Sequence, residues 1–88
     1  MSRPYLEITY RQGKPLAAYL YLQRKAGDSA VRSERHNGFV VDYNSDGHPI
    51  GVEFVRVGSI DLAALNHLLA AENEAVLSPG DLAPLTAA

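Results

Sequence analysis

Apolar and polar side chains alternate along four stretches of this chain. Over YLEITY, residues Tyr5 to Tyr10, Leu6, Ile8 and Tyr10 fall on one side and Tyr5, Glu7 and Thr9 on the other. Over LAAYLYLQ, Leu16, Ala18, Leu20 and Leu22 oppose Ala17, Tyr19, Tyr21 and Gln23. Phe39, Val41 and Tyr43 alternate in the third stretch, and Ile50, Val52 and Phe54 in the fourth, Pro49 to Val57. A period of two is that of a half-buried strand. The alanines and leucines of the second stretch make a helix the competing reading, but strict alternation and two tyrosines favour a strand. Gly13 and Pro15 mark one turn, and Asn44-Ser45-Asp46-Gly47 between apolar runs marks a hairpin.

After Gly58 the period changes. Ser59 suits an N-cap and Asp61 a first turn, and Leu62, Leu65, Leu69 and Val76, joined by Leu68, line one stripe. This predicts a helix from about Ile60 to Glu72 that fades before Leu77, with a turn at Ser78–Asp81. Residues 24–38 are polar and charged and predict a surface loop, with at most a short strand or turn around Ala30–Ser33. The expected fold is α+β: a four-stranded antiparallel β-meander with one C-terminal α-helix packed on one face. Residues 1–77 form one domain and 78–88 a tail. Its expected core is Leu6, Ile8, Leu20, Leu22, Phe39, Val41, Ile50, Val52, Phe54, Leu62, Leu65 and Leu69.

Composition narrows the function classes. Hydrophobic residues make up 47% of 88, enough for one small core. With no cysteine, disulfides and thiolate metal sites are excluded. The start, MSRPYLEI, lacks the pattern of a signal peptide, and no apolar run is long enough to span a bilayer, so a cytoplasmic protein is expected. The net charge of −2 argues against a nucleic-acid partner. It is unevenly spread: residues 1–56 carry 8 Lys+Arg against 6 acids, and residues 57–88 carry 4 acids and no Lys or Arg.

One motif invites a metal reading. DYNSDGHPIGVE places Asp42, Asn44, Asp46, Gly47 and Glu53 at positions 1, 3, 5, 6 and 12 of an EF-hand loop. Such a loop needs flanking helices, and here both flanks are strand formers. Position 8 is Pro49, which has no N–H to donate. The same residues suit a hairpin: Asn, Asp and Gly tolerate the turn, while Asp42 and Glu53 lie on solvent faces. His36, His48 and His67 are too scattered to form a ligand set and are expected as solvated surface groups. No serine lies in a nucleophile context. Arg24, Lys25, Arg32, Arg35 and His36 form the one basic cluster, interrupted by acids and without interleaved aromatics. The expectation is no catalytic, metal or cofactor site.

The second sheet face carries the remaining signal. One helix covers one face of a sheet, and the other would show Ala17, Tyr19, Tyr21, Val40, Val55 and Val57. An apolar, aromatic face of this kind marks a contact surface. The predicted interface residues are Tyr19, Tyr21, Val40, Val55 and Val57. The alternative is that the tail folds back over them through Leu82 and Leu85.

Leu20-Tyr21-Leu22, Val41-Asp42-Tyr43-Asn44, Asp46-Gly47 and Pro49-Ile50-Gly51-Val52-Glu53-Phe54 resemble the small bacterial family called domain of unknown function 2283. The resemblance covers residues 5 to about 66 and departs at Gln12-Gly13-Lys14-Pro15, where members usually carry acids. It implies a β-meander followed by a helix and assigns no catalytic residues. Some members look like partners of small toxin-like proteins. The leading expectation is a non-catalytic interaction module with a homodimer or small protein partner. The alternatives are an antitoxin-like inhibitor of a small basic toxin, and a weakly metal-binding or hydrolytic protein.

Overall fold

The computed structural model describes residues 5–23, 25–36, 38–55 and 60–83. Among these residues, five strands, β1 (Tyr5–Arg11), β2 (Lys14–Tyr21), β3 (Arg32–Arg35), β4 (Phe39–Tyr43) and β5 (Pro49–Phe54), precede helix α1 (Leu62–Ala71) and a 3-10 turn (Pro79–Leu82). The sheet is antiparallel throughout, in the order β1-β2-β5-β4-β3. The class is therefore α+β, but the expected four-stranded meander is corrected twice.

The first correction is β3, which falls in the segment expected to be a loop. Arg-Ser-Glu-Arg contains no apolar residue, so it shows no alternation to detect. As an edge strand it buries neither face, and charge protects such an edge from pairing with other chains. Arg32 forms an ion pair with Glu34 and lies 4.1 Å over the Tyr43 ring. The Val31 N–H donates to the Tyr43 carbonyl and the His36 N–H to Phe39, extending the β3–β4 pairing at both ends.

The second correction is the strand order. β5, not β4, pairs with β2: Ala18 faces Phe54, Leu20 faces Val52 and Tyr21 faces Gly51. A β3-β4-β5 unit has one charged edge and one apolar edge. Joining the apolar edge to β2 places β5 at the centre, where five of its six residues are buried.

The hairpins obey the expected turn chemistry. Gln12 and Gly13 both take positive φ (55° and 78°), the two-residue turn whose twist matches its strands. Along β1 and β2 the register slips between Thr9 and Tyr10, leaving Leu16 bulged without a partner. Leu16, expected beside Leu20, is 56% exposed at this bulge, and Tyr10, expected beside Ile8, is 55% exposed near the end of β1.

The core forms on one face of the sheet. Ala18, Leu20, Leu22, Phe39, Val41, Tyr43, Val52 and Phe54 are buried in one cluster with Leu65 and Leu69 of α1 and with Leu82. Leu6, Ile8 and Leu62, expected in the core, pack against it partly exposed. The helix starts later than expected: Asp61 is the N-cap, its Oδ1 accepting from the Ala64 N–H at 3.0 Å. Ser59, expected to cap, lies outside the described residues. Asn73, at φ 60°, ends the helix in the left-handed conformation. Val76 therefore lies beyond the helix, 57% exposed, and not on its stripe.

Asn66 ties the following segment to the helix. Its amide donates to the Leu77 carbonyl and accepts from the Leu77 N–H, both at 2.7 Å. Asn66→Ala removes both bonds and leaves two peptide groups to find water. We expect a loss of about 1–2 kcal/mol. Limited proteolysis should show faster cleavage within residues 74–83 than in the strands; equal rates would mean that Leu77 is held by something else.

Candidate functional site: the tyrosine face of the sheet

Two rows of side chains cross the face opposite the core. Strand register sets them. One row runs Tyr5, Tyr21, Gly51, Asp42, Ser33 from β1 to β3, and the next runs Glu7, Tyr19, Glu53, Val40, Arg35. The rings of Tyr5 and Tyr21 stack at 4.6 Å with 16° between planes, and Tyr19 meets Tyr21 edge-on at 4.8 Å. Both geometries suit the ring quadrupole.

Gly51 makes this arrangement possible. A Cβ at that position would land on the Tyr19 ring, so the bare backbone is the bed on which Tyr19 lies. From there the Tyr19 hydroxyl donates to Asp42 Oδ2 at 2.7 Å, reaching across β5 to β4. Ser33 Oγ donates to Asp42 Oδ1 at 2.6 Å, and the Tyr21 hydroxyl donates to Glu7 Oε1 at 3.2 Å. Each ring is thus fixed in position while part of it remains exposed.

Of the predicted interface residues, Tyr19, Tyr21 and Val40 lie together on this face, half-buried. Val55 lies just past β5, 48% exposed, and Val57 lies outside the described residues. The register adds Tyr5, Glu7, Ser33, Arg35, Asp42 and Glu53, of which no face assignment was available for Ser33 and Arg35 without β3. Leu82 does not fold back over the face. It is buried with Leu65 and Leu69 and borders a 380 Å³ cleft beside Leu6 and Leu20, on the core side. Leu85 lies outside the described residues.

The calcium-like motif is a hairpin tip between β4 and β5. Asn44 is 5% exposed, and its Oδ1 accepts from the N–H groups of Asp46 (3.0 Å) and His48 (2.9 Å). Asp42 turns to Tyr19 and Ser33, and Glu53 lies out on the sheet face. The oxygens of the motif therefore point to separate places. Among the described residues no group of three or more His, Asp or Glu is arranged to hold a metal ion.

Beside the tip is a polar pocket of 280 Å³ lined by Gln23, Lys25, Asp28, Asn44, His48 and Glu74. Burial pushes the Glu74 carboxyl above its usual range; a hydrogen bond from the Gln23 backbone opposes the shift, Glu72 adds to it and His48 opposes it. The pocket's groups largely satisfy one another. Asp28 accepts from the Lys25 N–H (2.9 Å) and the Asn44 amide (3.4 Å), and Lys25 lies 3.8 Å from Asp46.

The expected basic cluster is dispersed. Arg32 lies over Tyr43 on the core side, Arg35 on the tyrosine face and Lys25 at the hairpin tip, while Arg24 lies outside the described residues. His36 is not the solvated group expected: its ring stacks on Phe39 at 5.1 Å, and its Nε2 is buried with no hydrogen-bond partner.

Among the described residues no helix is long and apolar enough to cross a membrane. No family model matches the chain, and no curated protein or solved structure matches it. The resemblance to the domain of unknown function 2283 family rests on the residues quoted for it alone.

Proposed function

We propose that this chain is a non-catalytic protein-interaction module that self-associates through the face carrying Tyr5, Tyr19, Tyr21, Val40 and Val55. The observation that carries this reading is the set of three tyrosine rings in mutual contact, that of Tyr19 lying over Gly51, on the face away from the helix. Aromatic anchors held in place before contact lose little rotamer freedom on binding, and such residues dominate interface energetics. Ser33 and Tyr19 both spend their protons on one carboxylate, an arrangement that suits stiffness more than turnover.

The test uses light scattering over a concentration series. The wild-type chain is expected to rise from monomer to dimer mass. Gly51→Ala lifts Tyr19 off its bed without touching the core, and should weaken association at least about tenfold, a loss of about 1.4 kcal/mol. Tyr21→Ser should do the same by removing the stacking partner of Tyr5. A wild-type chain that remains monomeric at the highest concentration reached, or a dimer indifferent to both substitutions, overturns the reading.

A further inference from the structure

We infer that the occupant of the tyrosine face is a second copy of the chain, related by a twofold axis running along β5, so that Glu7 of each protomer meets Arg35 of the other. This rests on the reading just given and specifies its geometry. β5 is the third of five strands, so an axis along it exchanges the two edges, β1 and β3. The row Glu7, Tyr19, Glu53, Val40, Arg35 starts with an acid at one edge and ends with a base at the other.

Two orientations are open to a twofold lying between the facing sheets. An axis across the strands sets β1 on β1 and β3 on β3, bringing the Glu7 edges together and the Arg35 edges together. An axis along β5 sets β1 on β3. Glu7 then faces Arg35, Tyr19 faces Val40, Tyr21 faces Asp42 and Tyr5 faces Ser33. Like charges across an interface cost energy and opposite charges fix its register, so the second orientation is favoured. Sheets stacked face to face keep their strands within about 30° of each other, which displaces edge residues by roughly 5 Å, within the reach of an arginine side chain.

The same axis sets Glu53 opposite its own copy. That is the one unfavourable pairing, and it makes the axis testable. Five strands about 4.8 Å apart give a face roughly 20 Å wide. Such a face falls at the small end of specific interfaces, which points to a dimer in the micromolar range.

The experiment is sedimentation or light scattering of the full chain from 1 µM to 1 mM, roughly the range in which such interfaces dissociate. Glu7→Arg and Arg35→Glu, each alone, should weaken the dimer at least about tenfold, because each creates two like-charge contacts. The doubly exchanged variant should recover most of the association lost in either single variant, short of what the Tyr21–Glu7 hydrogen bond contributes. An equimolar mixture of the two single variants should form a heterodimer in which both contacts are attractive. Glu53→Gln should tighten the dimer. Thermal melts serve as the folding control, since both exchanged positions are exposed.

A dimer lost in Gly51→Ala but indifferent to both charge reversals overturns the axis and keeps the tyrosine face as the contact surface. Failure of the doubly exchanged variant to recover association also overturns the axis. A dimer indifferent to Gly51→Ala and to the reversals, or a wild-type monomer at 1 mM, about the millimolar end of measurable association, overturns both the axis and the proposed function.

Discussion

Replacing Phe54 by alanine is expected to lower the unfolding midpoint by roughly 12–40 °C. Phe54 is 2% exposed and faces Ala18 on β2 and Phe39 on β4, so its ring fills the centre of the sheet's inner surface. Emptying such a site costs about 3–5 kcal/mol, the lost transfer energy plus the cavity left behind. At 0.05–0.15 kcal/mol per residue, a chain of this length holds only about 4–13 kcal/mol in total. Each kcal/mol moves the midpoint by about 4–8 °C in a domain this small. Val76→Ala is the control: Val76 is 57% exposed and should cost less than about 0.5 kcal/mol. Thermal and urea melts of the two variants check this. A drop of under about 5 °C for Phe54→Ala would show that the centre of the sheet is loosely packed.

That expectation was available from sequence, because the alternation of Phe39, Val41, Ile50, Val52 and Phe54 names the buried side of two strands. The arrangement of the strands was not. β3 is polar on both sides, so no period marks it, and its position follows only from pairing with β4. The contact of β2 with β5 is a long-range choice between competing edges, and local pattern says nothing about which edge is used. The bulge at Leu16 reverses a face assignment that strict alternation requires.

The candidate site divides in the same way. Tyr19, Tyr21 and Val40 could be assigned to one face from alternation within their own strands. The partnership of Tyr19 with Asp42 could not, because the two are separated by β5 and meet only across Gly51. A glycine in the middle of a strand is the one available signal for such an approach. Arg35, at the basic end of the face, was hidden for the same reason as β3. The motif most visible in the sequence, the twelve residues from Asp42 to Glu53, forms a hairpin, because one-dimensional spacing is shared by a chelating loop and a tight hairpin.

The hairpin reading makes a prediction of its own at Asn44. This side chain is nearly buried at the tip between β4 and β5, where its Oδ1 holds two backbone N–H groups and its amide reaches Asp28. Asn44→Ala leaves those N–H groups without an acceptor inside the turn. At about 1 kcal/mol for each lost bond, the expected cost is about 2 kcal/mol, or a midpoint lower by roughly 8–16 °C. Asn44→Asp should cost less at its turn, since an oxygen remains to accept from Asp46 and His48. It should still destabilise at neutral pH, because it adds a carboxylate beside Asp28 and removes the amide donor. A calcium loop would respond differently. Its acids would repel one another until an ion arrived, and calcium at a hundred times its dissociation constant would add about 2.7 kcal/mol of stability. With the tip's oxygens already committed to N–H groups and to the tyrosine face, millimolar calcium should leave the wild-type midpoint unchanged and should not rescue Asn44→Asp. A rise of several degrees in either protein would mean that the motif's oxygens converge on an ion in solution, and would release Asp42 from Tyr19 and Ser33.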